Sequence, residues 1–225
     1  MKRTLTGSLA GALLVLACIA SSAVGAAGPQ VSVRVEGKSR TLLAPTLTQT
    51  HTGWVTKGGA PTGACSATSA AGALDVATHH NWGGTYSSSL GLAVSSILGE
   101  AHTFSSPFYW SVWVNNSYAQ SGVCGIKLHR GDHLLFAVEP DTGYWYPIGL
   151  SAPRTTTVGH SFEVKVVWFN VGGKSKPLAG ARVAGAVTNS HGIARLVGHH
   201  DGALLLRATR SGYIRSAPAR VLVTG

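Results

Sequence analysis

Helical spacing of apolar residues occurs in a single stretch of the chain that follows its N-terminal segment. Between Ala64 and His80 small apolar residues fall three or four apart, with Thr62 as the predicted N-cap and Asn81 as the predicted stop. Elsewhere apolar and polar residues alternate in short runs bounded by Gly, Asn, Asp and Pro, a pattern typical of half-buried strands. The chain is therefore predicted to contain one main helix among many short strands.

Two predicted strands precede this helix and several follow it. Val31–Glu36 alternates with period two, and Thr41–Thr48 can return beside it. Later strand candidates are Leu92–Ile97, Tyr109–Val114 and His133–Val138. This order favours an α+β fold in which the helix crosses a mixed sheet.

The C-terminal third contains only strand and turn patterns. Large apolar residues recur at every second position from Phe162 to Trp168, and turn residues follow at intervals of eight to twelve. This rhythm predicts an all-β, Ig-like sandwich. A turn-rich segment before it divides the chain into a first domain (residues 27–140), a linker (residues 141–153) and the sandwich (residues 154–225).

The first 26 residues have the order of basic, apolar and small residues that is typical of a secretory signal peptide. Their apolar stretch is about 12 residues long, well short of the ~20 that a membrane-spanning helix requires. We therefore expect cleavage after Ala26 and a secreted or cell-surface protein without a transmembrane segment in its mature part. Lipidation at Cys18 is the alternative, because Val15–Cys18 has a weak form of the lipoprotein cleavage motif.

Cleavage at this site would leave two cysteines, Cys65 and Cys124. An even pair in an oxidising compartment favours a disulfide, which would close a loop of about 60 residues. Two free thiols are the alternative.

Basic residues are concentrated in the C-terminal part of the chain. Residues 27–146 hold six basic and six acidic residues, whereas residues 147–225 hold ten basic and two acidic ones. Such a surface attracts polyanions over long range, and the secretory segment favours anionic envelope polymers over nucleic acid. A role in solubility alone is the alternative. The residues predicted to contact a polyanion are Arg207, Arg210, Arg215 and Arg220.

A Tyr-Trp strand, an Asn turn and a Gly-Asp turn occur within residues 30–140. They lie in Tyr109–Asn116, at Ala119 and Gly122, and in Leu128–Phe136. With the Ala-Leu helix pattern around Leu74, these motifs resemble the transcobalamin-like C-terminal domain family, which is widespread in secreted bacterial proteins. The resemblance implies a β-grasp fold for the first domain. In animal transcobalamins such a domain closes over cobalamin, which makes a corrinoid-like small molecule one candidate ligand.

The sandwich region resembles a second group of modules. Its motifs are Pro177–Val183, Thr188–Ala194, Leu206–Ala208 and Gly212–Ile214. They are similar to bacterial Ig-like and carboxypeptidase-regulatory-like modules. The resemblance implies a spacer, stalk or adhesive unit in place of an active site.

Motifs that carry catalysis, metals or cofactors are missing from the sequence. The ten histidines lack HExxH spacing, the cysteines lack CxxC spacing, and Gly159–Glu163 departs from GxSxG at its last position. We therefore predict a non-catalytic protein with no metal and no cofactor. A hydrolase would need Ser, His and acidic side chains that converge only in the folded chain.

Aromatic side chains mark the predicted ligand site. Tyr109 and Trp113 fall on one face of their strand and Trp110 on the other, so both faces carry a large ring. One face must enter the core, while the other is either covered by the helix or the next domain or binds a ligand. The predicted ligand-binding residues are Tyr109, Trp110, Trp113 and Tyr118.

These patterns together predict a secreted or cell-surface binding protein of the adhesion type. The basic sandwich is expected to attach to anionic envelope polymers, while the first domain contacts a ligand or a surface protein. An extracellular small-molecule carrier, with a corrinoid-like ligand, is the alternative.

Overall fold

Short strands account for most of the regular structure in a computed structural model that describes residues 27–103 and 106–225. The predicted signal peptide (residues 1–26) and the alternative lipidation site Cys18 lie outside these residues. The helical elements are a 3₁₀ turn, Lys57–Gly59, and one α-helix, α1 (Ala70–Ala77). The strands are β1 (Ala27–Glu36), β2 (Thr41–His51), β3 (Trp82–Ser87), β4 (Gly91–Ile97), β5 (Glu100–Ala101), β6 (Phe108–Val114), β7 (Ser117–Tyr118), β8 (His133–Pro140), β9 (Tyr146–Ser151), β10 (Thr155–Thr157), β11 (Ser161–Phe169), β12 (Ser175–Pro177), β13 (Arg182–Val183), β14 (Ala186–Val187), β15 (Ile193–Val197), β16 (Gly202–Leu206), β17 (Ala208–Thr209), β18 (Tyr213–Ile214) and β19 (Ala219–Thr224).

The first sheet has the strand order β2-β1-β8-β6-β7. Strand β1 runs parallel to β8, with Val35 opposite Phe136, and the other neighbours in this sheet are antiparallel. Helix α1 packs against β1 and β2, and its Leu74 is fully buried with Val33 and Phe136. A separate sheet, β3-β4-β5, lies beside it and adds Leu92 and Ile97 to the same core.

The helix is shorter than its apolar spacing predicts. It begins at Ala70, because the backbone N–H groups of Ala70 and Ala71 donate to the carbonyls of Ile126 and Val123, at 3.1 and 3.2 Å. These neighbouring carbonyls satisfy donors that a helix start leaves open, so the predicted N-cap at Thr62 is wrong. At the other end His79 and His80 take positive φ angles of 50° and 63°, which stops the helix after Ala77.

The predicted fold class is wrong. The sequence favoured an α+β, β-grasp first domain, yet the described part of the chain is mostly strand, divided among several sheets, and contains one α-helix of eight residues. The alanine-rich stretch supplies only two helical turns, because the preceding loop is fixed by the disulfide and by backbone hydrogen bonds. The result is a fold rich in packed β-sheets.

The C-terminal strands form several small sheets around a second apolar core. The path β12-β11-β9-β18 is extended by β15, which also pairs with β11, while β10-β19-β16 and β14-β13-β17 form two further sheets. The alternation in the first six residues of β11 is as predicted, since Phe162, Val164 and Val166 are buried while Ser161, Glu163 and Lys165 are exposed. Residues 146–151, inside the predicted linker, form β9 and pair with β11. The domain boundaries remain a prediction.

The disulfide predicted from the cysteine count is confirmed between Cys65 and Cys124, 59 residues apart. Cys65 is fully buried in the loop before α1. In sequence, Cys124 lies between Val123 and Ile126, whose carbonyls accept hydrogen bonds from the first two N–H groups of the helix. The bond therefore fixes the start of α1 against the segment after β7.

Candidate functional site

Strand β6 carries Tyr109, Trp110 and Trp113, and the neighbouring β7 carries Tyr118, at a sheet edge that is only partly covered. On one side β8 pairs with the whole strand, from Phe108 to Val114. On the other side β7 pairs only with Trp113 and Val114. Beyond this pairing the Ala119 N–H donates to the Val112 carbonyl at 2.9 Å, and the segment from Tyr109 to Val112 borders a cavity.

This space, called here the aromatic cavity, has a volume of about 380 Å³ and opens to solvent. Three of the four predicted ligand residues line it: Tyr109, Trp110 and Tyr118. Leu92 and Val94 of β4 form an aliphatic part of the wall. A Cβ atom at Gly122 would lie 2.4 Å from the Leu90 carbonyl oxygen, so the wall closes here only because residue 122 is glycine.

Two tyrosine hydroxyls provide polar groups in the wall. The Oη atoms of Tyr109 and Tyr118 lie 3.3 Å apart, within hydrogen-bond distance. Burial raises the pKa of both phenols above their ordinary value, and for Tyr109 the hydrogen bond with Tyr118 raises it further. Both groups are therefore protonated at neutral pH and act as neutral hydrogen-bond donors and acceptors.

Trp110 contributes an unsatisfied donor. Its side chain is largely buried, and its Nε1 atom has no hydrogen-bond partner among residues 27–103 and 106–225. Its ring meets the His102 ring edge-on at 5.8 Å, and His102 Nε2 lies 2.9 Å from Glu100 Oε1. Leaving a buried donor unpaired costs about 1–3 kcal/mol, so an acceptor that reached this N–H would be favoured.

Trp113 lies apart from the cavity, in the core between the two halves of the chain. It is fully buried with Leu135, Ala137 and Ile214. Its Nε1 atom donates to Oε1 of the buried Glu139 at 2.6 Å, and the Ser111 hydroxyl donates to the same oxygen. Burial raises the pKa of Glu139 from its ordinary value of 4.5 to about 7, which outweighs these two hydrogen bonds.

Two wall residues were not among the predicted ligand residues. Tyr144 packs edge-on against Tyr118 with ring centroids 5.0 Å apart, and His102 also lines the wall. Tyr144 belongs to the aromatic run Tyr144–Tyr146, which is visible in the sequence. The sequence spacing of Tyr144 does not connect it to β6, because its position beside the cavity depends on how the chain turns after β8.

The four arginines predicted to bind polyanions have different surroundings. Arg207 and Arg215 contact the buried Glu36, each with a nitrogen 3.0 Å from a carboxylate oxygen. Arg210 is exposed and donates to the Ala179 carbonyl at 2.6 Å, and Arg220 is exposed on β19. The polyanion site remains a prediction, and two of its four members already have an internal partner.

In residues 27–103 and 106–225 no group of three or more His, Cys, Asp or Glu side chains is placed to hold a metal ion. None of the helices in the same ranges has the length and apolar character needed to cross a membrane.

Comparisons with known proteins include weak structural likenesses to solved structures. No family model matches the sequence, and no curated protein matches it. A protein from Ruminococcus gnavus, described as a candidate metal-binding protein, is 13% identical with a TM-score of 0.36, over 52% of this chain and 99% of its own. Haptocorrin, crystallised with Cbi, is 15% identical with a TM-score of 0.38, over 55% of this chain and 28% of its own. The transcobalamin-like relationship is therefore still a resemblance.

Proposed function

We propose that the protein is a non-catalytic, extracellular binding protein that holds a small, flat and largely apolar molecule in the aromatic cavity. The observation that supports this most directly is the convergence of Tyr109, Trp110 and Tyr118 on one open cavity. The disulfide favours an extracellular location, because such bonds persist mainly in oxidising compartments.

The composition of the wall suits such a ligand. Small-molecule sites are mostly apolar clefts of roughly 300–1,000 Å³ with a few polar groups that orient the ligand. Aromatic rings offer stacking surfaces for a planar ring system. The hydroxyls of Tyr109 and Tyr118 and the unpaired Trp110 N–H supply the orienting groups. We therefore expect a ligand with one hydrogen-bond acceptor on an aromatic or similar flat body.

A non-catalytic role is the simplest use of these groups. The raised pKa values of Tyr109 and Tyr118 keep both phenols protonated at neutral pH, which suits hydrogen bonding better than proton abstraction. We also propose that exposed basic side chains such as Arg220 attach the protein to anionic envelope polymers. A corrinoid-like ligand remains the alternative, and it is included in the test.

The experiment is calorimetric titration of residues 27–225 with 2-naphthol, a neutral planar probe with one hydroxyl, and separately with cobinamide. A matched pair of variants locates the binding. Ser121→Trp fills the cavity from an exposed wall position, whereas Ser190→Trp places the same ring in an exposed turn elsewhere. We expect saturable 2-naphthol binding that Ser121→Trp abolishes and Ser190→Trp retains. Binding of cobinamide alone with the same dependence would favour the corrinoid alternative, and no saturable binding of either probe would contradict the proposal.

A further inference from the structure

A second cavity lies in the seam between the N-terminal and C-terminal halves of the chain. It has a volume of about 630 Å³ and is called here the seam cavity. The turn between β1 and β2, at Gly37–Ser39, forms one wall. The turn between β17 and β18, at Arg210–Gly212, forms the other. It shares no lining residue with the aromatic cavity.

Cationic side chains dominate this wall. Four of them line it, Lys38, Arg182, Arg210 and Arg215, against a single carboxylate, Glu36. Four positive groups and one negative group give a formal surplus of three positive charges within one concave space. A cleft lined by one sign of charge concentrates the field and raises the local concentration of counter-ions.

The single carboxylate is paired with arginines, including Arg215 of the same wall, so it does not pair with Lys38, Arg182 or Arg210. Glu36 is buried and lies 3.0 Å from Arg207 and 3.0 Å from Arg215, with Arg34 at 3.4 Å. Thr41 also donates to its second oxygen, at 2.8 Å. Glu100 lies near the rim, where it accepts the Lys38 backbone N–H at 2.7 Å and pairs with His102.

Several of the cationic groups are held in place yet keep free hydrogen-bonding capacity. Lys38 Nζ lies 3.8 Å above the centre of the Phe108 ring. The Arg210 guanidinium lies 5.2 Å from the centre of the Tyr213 ring and donates to the Ala179 carbonyl. A guanidinium has five N–H donors, so most of those of Arg210 are available to a ligand. Arg182 is exposed at the cavity wall.

We propose that the seam cavity binds a small multivalent anion whose acidic groups are carried on a ring. Arg182, Arg210 and Lys38 would contact the carboxylate or phosphate groups, and Arg215 would add positive charge to the wall. The Trp145 and Tyr213 side chains line the same space and offer surfaces on which the ring packs. This site is independent of ligand binding in the aromatic cavity.

Two probes test this site by calorimetric titration. Both carry several acidic groups on rings, but the acidic groups are carboxylates in one probe and phosphates in the other. Trigalacturonate carries carboxylates on sugar rings, and inositol hexakisphosphate carries phosphates on a ring. The test variant is Arg182→Gln/Arg210→Gln. The control is Arg130→Gln/Arg154→Gln, which removes the same charge from two exposed positions outside the cavity. Thermal unfolding of both variants verifies that they remain folded.

We expect at least one probe to bind, with an affinity that decreases at high salt. The cavity variant should weaken binding about tenfold or more, since two charge-assisted hydrogen bonds are lost, while the control variant changes it much less. The probe that binds identifies the acid as carboxylate or phosphate. Equal weakening by both variants would show a diffuse effect of net charge, and binding unchanged by the cavity variant or absent for both probes would likewise overturn the site.

Discussion

The Nη1 atom of Arg207 lies 3.0 Å from Oε1 of Glu36, across 171 positions of sequence. Glu36 ends β1 and is buried, while Arg207 lies between β16 and β17. A buried carboxylate is tolerated only when it is paired and hydrogen-bonded, and here the C-terminal half supplies two of the three arginines that pair with it. Burial lowers the pKa of the third, Arg34, to about 10, which still leaves it charged at neutral pH.

Removing the Glu36 charge should destabilise the fold strongly. Glu36→Gln keeps the shape of the side chain but leaves three arginines without their counter-ion, which costs about 3–5 kcal/mol for a broken buried pair. Urea unfolding of wild type and variant measures this difference. Glu163→Gln is the control, because Glu163 pairs with Arg195 at 3.0 Å on the exposed surface. That change should cost less than about 1 kcal/mol, and similar losses in the two variants would contradict the role of Glu36.

Removing the disulfide should lower stability without changing the fold. The bond between Cys65 and Cys124 closes a loop of about 60 residues, for which the chain-entropy model gives about 4 kcal/mol. The Cys65→Ala/Cys124→Ala variant is expected to lose close to this amount in urea unfolding. Reduction of the wild type should reproduce most of the loss, and an unchanged unfolding midpoint after reduction would contradict the prediction.

The buried carboxyl of Glu139 should make stability depend on pH. Because its pKa rises in the fold to about 7, the folded state holds this proton more tightly than the unfolded chain does. The resulting stabilisation is complete below pH 4.5 and is lost as the pH rises through about 7, with a slope of at most about 1.4 kcal/mol per pH unit. Tyr109 and Tyr118 face the same region, and their phenols stay neutral in this range.

Glu139→Gln replaces the titrating carboxyl group by a neutral amide. The variant therefore tests whether Glu139 causes the pH dependence of stability. Relative to wild type, the variant should gain unfolding free energy as the pH is raised from 5 to 8, the interval that spans the pKa of about 7. Asp141→Asn, at an exposed position of the following turn, serves as the control and should follow the wild-type profile. If the Glu139→Gln profile also remains parallel to wild type, the raised pKa is refuted.

Trp113 and Trp110 are the two buried tryptophans of β6, and of these Trp113 donates a hydrogen bond to Glu139. Comparing variants of the two residues therefore measures the contribution of this hydrogen bond to stability. Trp113→Phe removes a donor to a buried carboxylate, which should cost about 1–3 kcal/mol in addition to the lost ring area. Trp110→Phe removes a similar area, but the N–H that it removes has no partner in the part of the chain that the structure describes, so its cost should be smaller by about 1–3 kcal/mol. Urea unfolding compares the two variants, and equal costs would show that the hydrogen bond contributes little.

Ligand binding in the two cavities can be distinguished by substituting one tyrosine in each cavity. Tyr118→Ala removes a ring from the aromatic cavity and should weaken 2-naphthol binding about tenfold, while leaving anion binding unchanged. Tyr213→Ala removes a ring from the seam cavity and should have the opposite effect. Calorimetric titration of both variants with both probes tests this, and loss of both activities in either variant would mean that the sites are coupled or that the variant is misfolded.

Local patterns predicted the elements that depend on neighbouring residues. The alternation in β11 and the turn before β2 were readable because a strand shows its two faces at every second residue. The helix existed where the alanine spacing indicated, but its start was misplaced. Carbonyls of Val123 and Ile126, brought close by the disulfide, decided where the helical hydrogen bonds begin.

The wrong fold class has a related cause. Two strands, a helix and more strands favoured an α+β fold, but the order of elements does not state how many residues each contributes. Residues 146–151, inside the predicted linker, pair with β11 and β18 once those strands are present. A backbone that contains many turn residues in sequence becomes a strand when neighbouring backbones satisfy its hydrogen bonds.

The sequence by itself determined the alternation of the strands, the presence of a helix in the alanine-rich stretch, the pairing of two cysteines and the excess of basic residues in the C-terminal part. It also identified Tyr109, Trp110 and Tyr118 by residue type. The tertiary structure decided that these three line one cavity while Trp113 enters the core, and that Arg207 and Arg215 neutralise Glu36. Periodicity reports only which face of an element a residue occupies; which faces meet depends on contacts between segments that are distant in sequence.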